Sequence, residues 1–259
     1  MPSRLATDLA ALASRRQALG LAAMGLGGLA AACQETVAAR TAKGAQCLIT
    51  PTEIRGPFPA DGTRASGRTL SVFGQQGLVR QDIRTSFAGM AGEAPGVKLD
   101  CAIRLVDAQG CTPLAGRALY LWQCDAAGDY SLYNREDVNW LRGMQVSDGD
   151  GVAHFTTIVP GCYGGRAPHV HIEVFESLEQ ATSGHSSLLV SQLAFTEAEC
   201  AEIYRARAEY GSSLDNLSRW PAARDFAFSG PEDERAAQTI RLNGSVEKGY
   251  AGTATVTLG

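Results

Sequence analysis

The sequence predicts an all-β domain, a sandwich or barrel of short strands with one or two short helices. Three observations carry that expectation. Every second residue of Val97-Lys98-Leu99-Asp100-Cys101-Ala102-Ile103-Arg104-Leu105 is apolar, the period of a half-buried strand. Glycine and proline clusters punctuate the chain between such runs, as strand-to-strand turns require. Only one segment carries a clear helix-start signal.

The elements follow in chain order. Val97–Leu105 is a strand, and Gln109-Gly110-Cys111-Thr112-Pro113 after it is turn material. Arg117–Asp125 is a second strand. It is apolar on both faces at Leu119, Tyr120, Leu121 and Trp122, which predicts a central position. Ser147-Asp148-Gly149-Asp150-Gly151 predicts a hairpin turn. Its two Asp do not make a calcium loop, because the ligand spacing and terminal Glu are missing. Val152–Ile158 and His169–Phe175 are further strands, and Thr253–Leu258 is a closing β-rich run. Thr196-Glu197-Ala198-Glu199 is a capping box, with Thr196 as N-cap, Glu199 reaching back and Phe195 placed to staple. The helix it starts is expected to run to about Tyr210 and to end at Gly211. No internal repeat is visible.

The chain has 259 residues, 45% hydrophobic, with a net charge of -4. The length suits one sizeable core, the hydrophobic share excludes a wholly disordered chain, and the charge argues against a nucleic-acid partner. Residues 1–33 read as an export signal. Arg15-Arg16 is a twin-arginine pair, and an uncharged run of small and apolar residues from Ala18 to Ala32 follows it. That run is too short and too weakly apolar for a membrane span of about 20 residues. The twin-arginine pattern points to the route that exports folded proteins, and so to the periplasm or cell envelope. Leu29-Ala30-Ala31-Ala32-Cys33 resembles a lipoprotein cleavage site, so a lipid anchor at Cys33 and simple cleavage near Ala32 both stand. Residues 34–46 read as a tether and 47–259 as the domain. Cys47, Cys101, Cys111, Cys124, Cys162 and Cys200 are an even set that permits disulfides in an exported chain without choosing among pairings. No CxxC is present, which argues against a thiolate zinc knuckle.

The four histidines, His154, His169, His171 and His185, bound any histidine-built metal site. In Pro168-His169-Val170-His171-Ile172-Glu173-Val174, strand alternation turns His169 and His171 to one side, about 6.6 Å apart along the backbone. Two imidazoles so spaced can converge on one ion, while Val170, Ile172 and Val174 cover the other face. Zinc would need a third His, a Cys or a carboxylate, and a ferrous facial triad would need one carboxylate. Glu176 completes His-x-His-x4-Glu, half of a cupin motif, but His185 lacks the context of the second half. Tyr130 and Tyr163 are the remaining nearby donors. A free phenol has a pKa of about 10, so ligation as phenolate needs a strongly acidic cation, and ferric iron meets that need. Aromatic packing is the plain alternative for either tyrosine.

These segments together resemble the intradiol ring-cleavage dioxygenases. The resemblance runs through Trp122–Ser131, Leu141-Arg142-Gly143-Met144-Gln145, Asp150-Gly151, Phe155–Tyr163 and Arg166-Ala167-Pro168-His169-Val170-His171. Upstream, Thr50–Phe58 and Arg80-Gln81-Asp82-Ile83 are similar to the family's opening segments, and downstream Ser191-Gln192-Leu193 is similar to a glutamine-bearing strand. The resemblance implies a β-sandwich holding a non-haem Fe(III) ion between Tyr130, Tyr163, His169 and His171. It implies that Arg166 stabilises negative charge on the bound substrate and that Gln192 supports the ligands from behind. The implied reaction cleaves a catechol-type ring with O2 between its two hydroxyl-bearing carbons, giving a muconate-type dicarboxylic acid. Tyr163 would leave the metal and act as base. The partners implied are a small aromatic diol and O2, with a homo-oligomer left open. A non-catalytic β-sandwich binding module with a degenerate metal site is the alternative.

Departures from the family pattern are visible. Arg55 stands where the family usually has Glu, Arg-Ala-Pro-His reverses the usual Arg-Pro-Ala-His, and the loop from Tyr163 to Arg166 is short. The likeness begins near residue 47, without the helical dimerisation region of the catechol dioxygenases. The closer likeness is to compact exported members, whose substrates vary.

Overall fold

The computed structural model describes residues 47–184 and 186–259. The expected export signal, tether and Cys33 lie outside the described residues, as does His185. A small hairpin of β1 (Asp61–Ala65) and β2 (Arg68–Ser71) precedes the main sheet. Strand β3 (Lys98–Asp107) realises the predicted alternation: Leu99, Ile103 and Leu105 are sealed from solvent while Lys98, Asp100 and Arg104 are exposed. Strand β4 (Ala118–Trp122) is buried on both faces, as its sequence requires. Leu119 and Leu121 enter the main core, while Tyr120 and Trp122 enter a second core on the opposite face. Strands β5 (Arg142–Val146), β6 (Val152–Ile158), β7 (His169–Phe175), β8 (Leu189–Phe195), β9 (Thr239–Ser245) and β10 (Gly249–Leu258) complete the sheet.

The eight strands β3 to β10 form one sheet in the order β5-β4-β7-β8-β9-β10-β3-β6. Its two halves meet where β8 pairs parallel with β9 through Ala194↔Thr239 and Phe195↔Ile240. The sheet then curls until its edges, β5 and β6, are bridged by the extended segment 78–83. Met144 N donates to Leu78 O (2.9 Å) and Arg80 N to Met144 O (3.1 Å). Thr156 N donates to Gln81 O (2.9 Å) and Ile83 N to Thr156 O (2.9 Å). The bridge satisfies edge groups that would otherwise stay unpaired. It also corrects the hairpin expected at Ser147–Gly151. The strands flanking that turn are opposite edges of the sheet, and the turn crosses the seam between them. Asp148 Oδ1 shapes it by accepting from Asp150 N and Val152 N, each at 2.9 Å.

Four short α-helices are described, α1 (Leu178–Thr182), α2 (Glu197–Ala206), α3 (Ser213–Arg219) and α4 (Glu232–Ala237). Only α2 is long enough to leave a periodic signal in sequence, so one or two helices were too few to expect. The capping box also does not form. Thr196 flanks α2 as N-cap, but its hydroxyl accepts from Leu242 N (3.3 Å), and Glu197 Oε1 accepts from Ala222 N (2.8 Å). The helix stops at Ala206 rather than Tyr210. Arg207 is extended (φ -129°, ψ 112°), and a single 3-10 turn, Ala208–Tyr210, follows up to Gly211. The cause is tertiary: the Tyr210 hydroxyl accepts from Val97 N and donates to Val159 O, both at 2.9 Å. No helix among the described residues is long and apolar enough to cross a membrane.

Cys47 and Cys111 form a disulfide across a sequence separation of 64. Cys101, Cys124, Cys162 and Cys200 are buried thiols, and burial pushes Cys101 and Cys162 up to about 12. Such thiols are poor nucleophiles.

Two stability outcomes follow. A Cβ at Gly143 would collide with Ile83 Cγ2, the residue that pins the bridging segment to both edges. Gly143→Ala should therefore lower stability by about 1–3 kcal/mol, read as a fall in Tm of about 2–4 °C per kcal/mol. Replacing both Cys47 and Cys111 by Ser should lower the unfolding free energy by about 2–4 kcal/mol in a denaturant titration. An unchanged midpoint in either experiment contradicts the role assigned.

Candidate metal centre

Strand β7 places the two histidines. Val170, Ile172 and Val174 point into the main core, so His169, His171 and Glu173 project from the opposite face. The register aligns Trp122 of β4, His171 of β7 and Gln192 of β8 across three strands. The Trp122 ring stacks on the His171 ring, with centroids 4.9 Å apart and an interplanar angle of 8°. Gly56 presses on the imidazole from the preceding loop. It holds φ +74°, and a Cβ there would lie 2.9 Å from His171 Cε1, so only glycine fits. His169 is fixed by Nδ1–H donating to Ala167 O at 2.7 Å, which leaves its Nε2 lone pair free for the site. Burial, reinforced by the Arg166 charge, holds both imidazoles well below their ordinary pKa, so both are neutral.

The tyrosines arrive on two loops that meet at glycines. Asp125 Oδ1 accepts from Ala127 N (2.9 Å) and Asp129 N (3.0 Å), shaping the turn that leads to Tyr130. A Cβ at Gly128 would lie 3.1 Å from Tyr163 Cβ, and one at Gly161 would strike Ala126 O, so the loops approach closely only through these residues. Tyr130 is buried, with Phe58 against its ring at 4.9 Å. Tyr163 is partly exposed and is flanked by Gly164 and Gly165. Burial pushes the Tyr130 phenol well above its usual value, with Tyr163 adding to the rise, and pushes Tyr163 up to about 12.

The four side chains converge on one point. Tyr130 Oη lies 3.4 Å from Tyr163 Oη, 3.5 Å from His169 Nε2 and 3.2 Å from His171 Nε2. His169 Nε2 lies 3.2 Å from Tyr163 Oη and 3.2 Å from His171 Nε2. These are five of the six separations among four donor atoms. They form two triangles that share the Tyr130–His169 edge, and the point equidistant from the corners of each lies roughly 2 Å from them, the length of a metal–nitrogen or metal–oxygen bond. The donor set therefore fits a metal ion in size. Its chemistry is two neutral imidazoles and two phenols, with no carboxylate or thiolate. Among the described residues no three His, Cys, Asp or Glu cluster to hold a metal. The third ligand that zinc or a facial triad would need is thus not supplied by those residue types. Glu176, the cupin-type candidate, instead pairs with Arg117 (2.8 Å). His154 is exposed, 3.7 Å from Asp148.

Arg166 and Gln192 border the donors. Arg166 Nη1 is 3.3 Å from His169 Nε2, Nη2 donates to Gln192 Oε1, and Nε donates to Asp225 Oδ2 at 2.8 Å. Gln192 Nε2 in turn donates to Ile54 O at 2.8 Å. Residues 53–59 thus form a strap over the centre. Gln192 holds it at Ile54, Gly56 packs on His171, and Phe58 packs on Tyr130. Arg55 anchors the strap through Glu173 Oε1 (2.7 Å), Ser187 Oγ (3.2 Å) and an ion pair with Asp61 Oδ2 (3.0 Å). The unusual Arg55 is thereby matched by an acid on β7.

Two supporting residues carried no readable role in the sequence. Arg142 is fully buried. Its Nε donates to Ser131 Oγ (2.9 Å), Nη2 to Ser131 O (2.9 Å) and Nη1 to Pro59 O (3.0 Å), which ties the residue after Tyr130 to the end of the strap. Asp225 lies 59 residues beyond Arg166, so no local pattern announces their contact.

The Dioxygenase family model (Dioxygenase_C) matches residues 71–205, just over half of the chain. No curated protein sequence matches. Among solved structures, the chain is similar to an intradiol ring-cleavage dioxygenase from Tetranychus urticae at 21% identity and TM-score 0.58, covering 82% of this chain and 94% of that one. It is similar to the dioxygenase domain of a dioxygenase–carbohydrate-binding fusion from Streptomyces sp. SirexAA-E at 24% identity and TM-score 0.50, covering 81% and 97%. It is also similar to 3-chlorocatechol 1,2-dioxygenase from Rhodococcus opacus 1CP at 22% identity and TM-score 0.50, covering 86% and 75%. At these identities the structural likeness establishes the fold, and the family match spans β3 to β8 with both tyrosines and both histidines inside it. The chain belongs to the intradiol ring-cleavage dioxygenases.

Proposed function

We propose that this chain is a non-haem Fe(III)-dependent dioxygenase that cleaves a catechol-type ring with O2 to a muconate-type dicarboxylic acid. The observation that carries the reading is the convergence of two phenols and two neutral imidazoles, with five of their six donor separations at 3.2–3.5 Å. Buried phenols with raised pKa values keep their protons unless a strongly acidic cation displaces them. Ferric iron does so, and two phenolates would leave it with one net positive charge. The two facing halves of the sheet, sharing one core, fit the β-sandwich expected of this family.

Tyr130, Tyr163, His169 and His171 would hold the ion. The chemistry supplied by bound ferric iron is activation of a catecholate ring toward O2. The protein's own groups divide the remaining work by their mobility. Tyr130 is buried and braced by Phe58 and by the Arg142–Ser131 bonds, so it stays. Tyr163 is partly exposed on a glycine-flanked loop, so it is the ligand placed to yield to substrate, and its released phenolate accepts a catechol proton at Oη. Arg166 presents Nη1 to the centre, where it would stabilise anionic charge on the bound ring in a site with little water. The intact donor set weighs against a degenerate binding module. The twin-arginine signature at Arg15-Arg16 supports export to the periplasm or cell envelope, with Cys33 as a lipid-anchor candidate.

Oxygen uptake by the iron-loaded protein over a panel of catechol, protocatechuate, hydroxyquinol and larger plant-derived catechols tests the reading. The expected result is stoichiometric O2 consumption, with a product holding both oxygen atoms and a cleaved ring. No uptake across the panel by iron-replete protein would leave the binding-module alternative standing. Tyr163→Phe should keep iron binding and lose about 10²–10⁴-fold in turnover. An unchanged rate would remove its role as base.

A further inference from the structure

We propose that Asp225 is the positioning residue that aims Arg166 at the metal centre; the inference rests on the function proposed above. Arg166 is buried, and its donors are divided among separate partners. Nε goes to Asp225 Oδ2 (2.8 Å) and Nη2 to Gln192 Oε1, while the Phe226 ring lies 4.5 Å from Cζ. Nη1 is the terminal nitrogen left facing the donor cluster, 3.3 Å from His169 Nε2. Rotation about the bond between Cδ and Nε would swing Nη1 away, and the bond from Nε to Asp225 resists it together with the bond from Nη2 to Gln192.

Asp225 is built for this task rather than for solubility. Its side chain has no exposure, and both oxygens are committed: Oδ2 also accepts from Ala167 N (2.7 Å), and Oδ1 accepts from Ala227 N (2.9 Å). Ala167 carries the carbonyl that receives His169 Nδ1–H at 2.7 Å. One carboxylate oxygen therefore holds the guanidinium and also the amide of Ala167, the residue whose own carbonyl fixes His169. The surrounding turn is closed on itself by Asp225 N to Ala222 O (3.1 Å) and Phe228 N to Asp225 O (3.0 Å). This segment lies beyond residues 71–205, so it is no part of the matched family region. Its buried acid is the only negative charge that the structure pairs with Arg166 among the described residues.

The test compares Asp225→Asn, Arg166→Gln and the double variant. Asparagine keeps an acceptor for the backbone but loses the anion for Nε. In metal-free protein, the Arg166 Nε–H proton should be slow to exchange in an NMR spectrum of the wild type and should move or vanish in Asp225→Asn. In iron-loaded protein, anaerobic titration with catechol should show roughly 10- to 100-fold weaker binding in Asp225→Asn, with kcat/KM falling by a similar factor. The double variant should be no worse than Arg166→Gln alone, because Asp225 acts through Arg166. Unaltered catechol affinity with an unaltered Arg166 resonance, or losses that multiply in the double variant, would overturn the proposal. So would a lowered Tm with no change in binding or rate. If Asp225→Asn does not fold, Asp225→Glu supplies the same comparison, with the carboxylate kept but displaced by one methylene. A wild type that takes up no iron or catechol would sink the functional reading while leaving the metal-free NMR result to stand or fall separately.

Discussion

Four donor atoms crowded together, five of their six separations at 3.2–3.5 Å, are the constraint around which this structure is organised. Crowded polar atoms with little access to water are costly unless each finds a partner. Here the groups bond chiefly to one another, burial holds the phenols protonated, and the same burial holds the imidazoles neutral. A hard, highly charged cation reverses that logic, since it replaces two protons and accepts both imidazole lone pairs at once. On the function proposed above, the site would be a template for an ion of particular size and acidity, and the neighbouring structure would keep the template from collapsing.

Two kinds of support do that work. Cross-strand register supplies the first: Trp122, His171 and Gln192 lie abreast on β4, β7 and β8, so an imidazole is stacked on one side and a strap-binding amide stands on the other. Close approach through glycine supplies the second, at Gly56 against His171 and at Gly128 against Tyr163. Charged groups then lock the strap. Arg142 ties Ser131 to Pro59, and Arg55 reaches Glu173, two residues along β7 from His171. Burial pushes the Glu173 carboxyl up, and Arg55 acts against that rise. The arginine that departs from the family pattern is therefore paired with a buried acid through Glu173 Oε1.

Local patterns were legible in the sequence, and long-range ones were not. Alternation marked β3, and strand β7 was placed from His169 to Phe175 because period-two geometry is contained within seven residues. The same geometry turned His169 and His171 to one face. Tyr130 and Tyr163 are visible as nearby donors, but only the family resemblance separates ligation from packing, because a tyrosine with no periodic context carries no signal of its own. The α2 boundary went astray because Tyr210 is held by Val97 and Val159, contacts no local rule contains. The seam closed by residues 78–83, the Arg55–Glu173 pair and Asp225 all depend on partners dozens of residues away, so they needed the folded chain to be seen.

The measurement that bears most directly on the central claim is the metal content and visible spectrum of the purified, iron-reconstituted protein. If the four donors are a ferric template, the protein will hold one iron per chain. It will be burgundy from phenolate-to-iron charge transfer, and Tyr130→Phe will lose both colour and metal. A colourless protein that retains no iron after reconstitution would contradict the account.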